Sequence, residues 1–187
     1  MQHFATPQAL AAWLQTHQID TATWGQGAAK SVTDLWQEVR NAESTLTDEP
    51  PHRHVRVVEL VVQDSDRQLI EAAQTLVSGH MRRRNQPPSE KMLPGEDPLS
   101  AARRCLAEEL GIDPATAVTI PPQIIGERQE LVESISYPGL LTQFTFYQVR
   151  AQVHGLPATD FTTTNAAHGH GDPVIAHHWQ WAPCRQA

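Results

Sequence analysis

Glu96, Arg104, Cys105, Glu108 and Glu109 stand close enough in the sequence to serve one site. Within a helix, Arg104 lies four residues before Glu108 and can pair with it, and Cys105 lies one turn before Glu109. Glu96 precedes the helix and can fold back toward the same side. Carboxylates gathered in one place repel one another, and a hard divalent cation that seeks oxygen ligands, such as Mg²⁺, holds them together. Such a cation can neutralise negative oxygens, and a water bound to it beside a carboxylate base can be activated for attack. Arg104 is read either as the group that holds Glu108 in place or as a surface ion pair of little energy.

The helix that must carry these residues is marked at both ends. Asp97 is a fair N-cap, and Pro98 sits at the first helical position, where its missing N–H costs nothing. Leu99, Ala102, Leu106 and Leu110 recur at three- and four-residue spacing and give an apolar face for a core. Gly111 follows as a residue able to take the left-handed conformation that stops a helix.

Residues 90–112 resemble the Nudix box, Gly-x5-Glu-x7-Arg-Glu-U-x-Glu-Glu-x-Gly-U, where U is aliphatic. Glu96 matches the first Glu, Arg104 the Arg, and Leu106, Glu108, Glu109, Gly111 and Ile112 the rest. Two positions depart: Glu90 stands at the opening Gly and Cys105 at the Glu after the Arg. The resemblance implies an α+β fold, an α/β/α sandwich with a mixed β-sheet and the box helix beneath it. It implies Mg²⁺-dependent hydrolysis, with Mn²⁺ able to substitute, of a nucleoside diphosphate linked to another moiety. Glu108, Glu109 and Arg104 would be catalytic. Glu96, Glu108, Glu109 and the backbone carbonyl of Ser89 would hold the metal, with a further acid from outside the box among Glu127, Glu130 and Glu133.

Cys105 weakens that reading. A thiol is a poor ligand for Mg²⁺ and is mostly protonated at neutral pH. Slower or absent hydrolysis follows, which leaves a catalytically inactive Nudix module for nucleotide sensing or protein–protein contact as the alternative. No base is recognisably paired with Cys105, so it reads as a small, half-buried helix residue rather than a nucleophile. Glu90 either compensates by adding a carboxylate to the loop or is an exposed residue where glycine flexibility is unneeded.

A chain of 187 residues, 40% hydrophobic and 19% charged, suits one globular domain with an appended segment. The boundaries expected are a helical extension at 1–50 and a Nudix-like domain at 51–187. Thr6 and Pro7 open a first helix with Leu10, Trp13 and Leu14 on one face, and a second runs over 28–42 with Val32, Leu35, Trp36 and Val39 as its stripe. Trp24 and Trp36 read as anchors for these helices, and the extension offers a surface for a homodimer or a protein partner. Strands are expected over 55–62 and 67–76. A loop over 81–90 carries Arg82, Arg83 and Arg84, a phosphate clamp or a solvated charge run. Further strands fall over 123–136, 140–153 and 174–181, with a turn at 136–139 and irregular chain over 161–172. His168, His170, His177 and His178 have no spacing that supports a structural zinc site, and His177 and His178 point to opposite faces of a strand.

Net charge is −7, which argues against nucleic acid and anionic membranes as partners and leaves a nucleotide-type small molecule. No apolar run approaches membrane-spanning length, and the N-terminal residues lack the basic and apolar regions of a secretory signal. Two cysteines make no disulfide framework, so the cytoplasm is expected.

Overall fold

The computed structural model describes residues 2–27, 29–113, 118–119, 124–165 and 174–184. The chain divides into two compact units, Met1–Val57 with Lys91–Glu96 and Arg128–Phe146, and Val58–Glu90 with Asp97–Glu127 and Tyr147–Ala187. The fold class is α+β with a mixed, open sheet. No helix among the described residues is long and apolar enough to cross a membrane.

The first unit contains helices α1 (Pro7–Thr16) and α2 (Val32–Arg40), strand β1 (Thr45–Thr47) and the start of β2 (His52–Asp64). It also takes most of β7 (Gly126–Ser134) and the first part of β8 (Tyr137–Val153). Thr6 caps α1, its Oγ1 accepting from Ala9 N at 3.2 Å, with Pro7 at the first position. The second helix begins at Val32, not at 28. Ser31 and Asp34 form a capping box there, with Ser31 N donating to Asp34 Oδ2 at 2.7 Å, and a capping box fixes where a helix starts. Leu10, Leu14, Trp24, Leu35, Val39, Leu46, Tyr137 and Leu140 form this unit's core. Trp24 is an anchor: its ring lies 5.1 Å from that of Tyr137 and its indole N–H donates to Pro138 O at 2.9 Å. Trp36 is partly buried and donates to Phe4 O at 2.9 Å. The expected turn at 136–139 is shorter, because Tyr137 is already a buried strand residue, its hydroxyl donating to Glu38 Oε1 at 3.0 Å.

In the second unit the strand order is β6 (Val118–Thr119), β8, β2, β3 (Arg67–Leu76), β10 (Val174–Pro183) and β9 (Phe161–Thr164). β4 (Met81–Gln86) pairs β3, and β5 (Ser89–Lys91) pairs β2. β3 and β10 are antiparallel from Arg67↔Pro183 to Leu76↔Val174. Two expectations change here. The basic segment over 81–86 is a strand, not a loop: Arg82 stands opposite Gln74 and Gln86 opposite Glu71, and both Arg82 and Arg84 bind β3 side chains across the ladder. Such cross-strand pairs outweigh the weak strand preference of arginine. Phe161–Thr164 is likewise an edge strand on β10, alternating half-buried and exposed residues.

The helix α3 (Pro98–Leu110) has the ends its sequence dictates. Asp97 Oδ1 accepts from Leu99 N at 2.9 Å and Ser100 N at 3.1 Å, and Gly111 takes φ +63°. Ala101, Ala102, Cys105, Leu106, Glu109 and Leu110 are buried. The buried face is therefore wider than the leucine stripe, and it includes Cys105 and Glu109. Cys105 is fully buried, not half-buried. Among the described residues no helix follows α3.

Candidate functional site

Arg104 on α3 meets one side chain from its own helix and one from β5. Its Nη1 lies 3.0 Å from Glu108 Oε2, the helical i,i+4 pair, and 3.6 Å from Glu90 Oε1. Glu90 also shares a hydrogen bond with Glu109. The carboxyl of Glu90 is pushed up to about 7, first by burial, then by the charge of Glu109, with Arg104 opposing and Glu108 adding to the rise. Glu90 thus links Glu109 to the Arg104–Glu108 pair.

A second set of groups holds Glu109 from behind. His177, on β10, places Nδ1 2.6 Å from Glu71 Oε1 on β3 and 2.9 Å from Glu109 Oε2. Arg84, on β4, donates through Nε to Glu71 Oε2 at 3.1 Å. Burial alone would lower the imidazole, but Glu109 and Glu71 outweigh it and push His177 up to about 9, so it carries a proton between two carboxylates. Glu71 is moved downward: burial opposes this, and His177 and Arg84 prevail. The backbone of Glu109 is tied as well, since Thr163 Oγ1 on β9 donates to its carbonyl at 2.5 Å and Trp179 Nε1 donates to Thr163 Oγ1 at 2.8 Å. His178 faces away from this group, its ring nitrogens meeting Thr75 Oγ1 at 2.7 Å and Thr162 Oγ1 at 3.2 Å. The two histidines lie on opposite faces, as the alternation of a strand requires.

Glu71, Glu109 and His177 bring their ligand atoms within 4.8 Å of one another, close enough to share a metal ion only if His177 gives up the proton it holds between the two carboxylates. Glu90, Glu108 and Glu109 form an all-oxygen set with excess negative charge, which fits a hard divalent cation such as Mg²⁺ or Mn²⁺. Cys105 does not belong to such a set. Burial, followed by the charges of Glu109 and Glu90, raises its thiol well above its ordinary pKa, so it is neither a hard ligand nor a thiolate.

The residues expected from the sequence are distributed as follows. Arg104, Glu108 and Glu109 come together. Ser89 opens β5, one residue before Glu90. Glu96 belongs to the first unit, where its Oε2 accepts from Leu93 N at 2.8 Å. Of the three arginines, Arg82 binds Gln74 and Arg84 binds Glu71, while Arg83 is exposed and, on an alternating strand, points to the other face. Glu127, Glu130 and Glu133 are exposed; Glu130 pairs with Arg128, and Glu133 accepts from Gly139 N at 2.8 Å. His168 and His170 lie outside the described residues.

The sequence did not point to Glu71, and it offered His177 only among four histidines without zinc spacing; both are buried. The available signal was a charged residue at an inward strand position, as in Ile70-Glu71-Ala72, where a buried carboxylate requires a partner.

The sequence model of the NUDIX domain family matches residues 50–187. Among solved structures, the chain is similar to the E. coli ORF135 protein, with 19% identity, TM-score 0.39, and 70% of this chain and 74% of that one covered. It is similar to C. elegans Ap4A hydrolase, with 19% identity, TM-score 0.37, and coverage of 69% and 80%. It is also similar to the MutT protein from Bacillus halodurans, with 16% identity, TM-score 0.36, and coverage of 67% and 68%. No curated protein matches by sequence.

Proposed function

The chain belongs to the NUDIX domain family, and from that premise we propose that it is a Mg²⁺-dependent hydrolase of a nucleoside diphosphate linked to another moiety. The observation that carries this reading is the meeting of Glu90 with Arg104 and with Glu109, and of Arg104 with Glu108. Bound there, a divalent cation supplies charge neutralisation at the diphosphate and lowers the pKa of an attacking water.

The chain's own groups do the rest. Glu108 and Glu109 hold the cation, with the Ser89 carbonyl as a further ligand in this proposal. Arg104 fixes the Glu108 carboxylate and limits the repulsion among the acids. His177 keeps one oxygen of Glu109 engaged and so leaves the other to face the ion. Of the three arginines, Arg84 lies beside Glu71 on the face of the sheet that bears His177, and it is the phosphate contact in this proposal. Residues 1–50 share a core with Tyr137 and Leu140 in the first unit, and in this proposal they bear the partner contacts. Two free cysteines suit the reducing cytoplasm.

A second reading, a module that binds a nucleotide without cleaving it, is favoured by one observation: Cys105 is fully buried where a carboxylate is expected. One experiment separates the two. ADP-ribose, dinucleotides, nucleotide sugars and nucleoside triphosphates are assayed with Mg²⁺ and with Mn²⁺. Turnover that falls at least ~100-fold in Glu109→Gln supports the hydrolase. No turnover of any compound, together with Mg²⁺-independent thermal stabilisation by a nucleotide, establishes the binding module instead.

A further inference from the structure

We propose that Glu90 supplies the carboxylate that position 105 has lost, so that the two departures from the motif form one exchanged site. The inference rests on the hydrolase reading and goes beyond it, because the family motif has glycine at position 90, with no side chain to contribute.

The argument begins with placement. Cys105 follows Arg104 on α3 and is fully buried next to Glu109 and Glu90. A glutamate at 105 would send its carboxylate from the helix toward Glu109. Glu90 sends one toward the same group from the opposite side, from β5. Its Oε1 lies 3.6 Å from Arg104 Nη1, the nitrogen that Glu108 Oε2 meets at 3.0 Å, and it hydrogen-bonds Glu109. Glu90 and Glu108 therefore share one guanidinium nitrogen, and Glu90 also bonds Glu109, so three carboxyl groups are linked, the number the motif would provide from the helix alone.

The backbone fixes this approach. Leu60 N donates to Pro88 O at 2.8 Å, so the chain entering β5 is pinned to β2 two residues before Glu90. Glu109 is fixed by His177 and Thr163. Glu90 thus meets a stationary partner from a stationary strand, the condition under which a carboxylate can serve a metal of fixed geometry.

The exchange also accounts for the small residue at 105. A second long acidic side chain beside Glu90 and Glu109 would add volume to a filled interior and a fourth like charge to the cluster. Glu90 and a glutamate at 105 are therefore mutually exclusive, and Cys105 is the complement of Glu90 rather than an independent loss.

Mn²⁺ binding, followed by electron paramagnetic resonance of the full chain, tests the proposal without reference to turnover. Four proteins are compared: wild type, Glu90→Gln, Glu109→Gln and the exchange variant Glu90→Gly/Cys105→Glu. Glu90→Gln keeps the shape of the side chain and is expected to weaken Mn²⁺ binding by about 10-fold or more, a loss of the size that removal of a metal-site carboxylate or its support produces. The exchange variant is expected to bind within about 3-fold of wild type, on the additivity that a restored site requires. Cys105→Glu alone, with Glu90 kept, is expected to unfold at a lower temperature than the exchange variant.

Wild-type affinity in Glu90→Gln, with loss in Glu109→Gln, overturns the proposal and leaves the hydrolase reading standing. Failure of the wild type to bind Mn²⁺ overturns both. If the exchange variant does not fold, as its metal-free melting shows, Glu90→Gln and the shortened Glu90→Asp decide the matter: an intermediate affinity in Glu90→Asp supports ligation, and an unchanged one refutes it.

Discussion

Replacing Glu38 by Gln tests whether a buried charge cluster holds the first unit together. Glu38 is 5% exposed. It accepts from Arg53 Nη2 at 2.5 Å, Lys30 Nζ at 2.8 Å and Tyr137 Oη at 3.0 Å, and Lys91 Nζ lies 3.5 Å away. Burial alone would raise its pKa, but Arg53, Lys91 and Lys30 together outweigh burial and lower it from 4.5 to about 2. At about 1.4 kcal/mol per unit that difference corresponds to about 3 kcal/mol of stability. A second route gives a similar figure, since removing one partner of a buried ion pair costs about 3–5 kcal/mol, and Arg53 is 4% exposed. Lys91 pulls the other way. Burial lowers its ammonium pKa even beside Glu38, so the cluster is worth less than the Glu38 shift implies and 3 kcal/mol is a ceiling.

The folded pKa lies below the unfolded one, so the stabilisation is present in full above pH 4.5 and is lost as the pH falls toward 2. Urea unfolding should show Glu38→Gln less stable than wild type by about 2–3 kcal/mol at pH 7. The difference should shrink as the pH falls from 4.5 toward 2. Equal stability at neutral pH, or a difference that persists undiminished in acid, refutes the reasoning.

Three further outcomes are expected. His177→Gln leaves Glu71 and Glu109 facing each other without the cation between them, and chemical denaturation in metal-free buffer should show a loss of about 3 kcal/mol. Arg83→Ala should leave both KM for the diphosphate substrate and the melting temperature unchanged, because Arg83 is exposed and points to the face of the sheet opposite Arg84. A thiol reagent should modify Cys184 in the native protein and reach Cys105 only after denaturation, since Cys105 is fully buried with a raised pKa; rapid modification of both would contradict the packing of α3.

The parts of the fold legible in the sequence are those whose signals are local. Asp97, Pro98 and Gly111 delimit α3 because caps and stops act on the nearest few backbone groups. The strand expected over 67–76 is β3, and the polar residues 64–66 before it mark its start, again a local signal. Met81–Gln86 was not legible as a strand, because what makes it one is pairing with β3, and composition alone reads as a charged loop. The site divides along the same line. Arg104, Glu108 and Glu109 share a helix, so their spacing shows their relation. Glu71, Glu109 and His177 come from β3, α3 and β10, and only the folded sheet makes them neighbours. Glu90 was visible as an anomaly in the motif, but its meeting with Glu109 depends on where β5 lies.

The tie between Thr163 and the carbonyl of Glu109 has a dynamic consequence. β9 is a four-residue strand at the end of the strand order, paired with β10, and short edge strands open at free energies well below that of global unfolding. When it opens, Thr163 releases two groups at once, the last turn of α3 and the indole of Trp179. Fraying at the rim of the sheet is thereby coupled to slack in the helix that bears Glu109. A fluorine-labelled Trp179 resonance, resolved from those of the other four tryptophans, would record that event as it happens in the native protein.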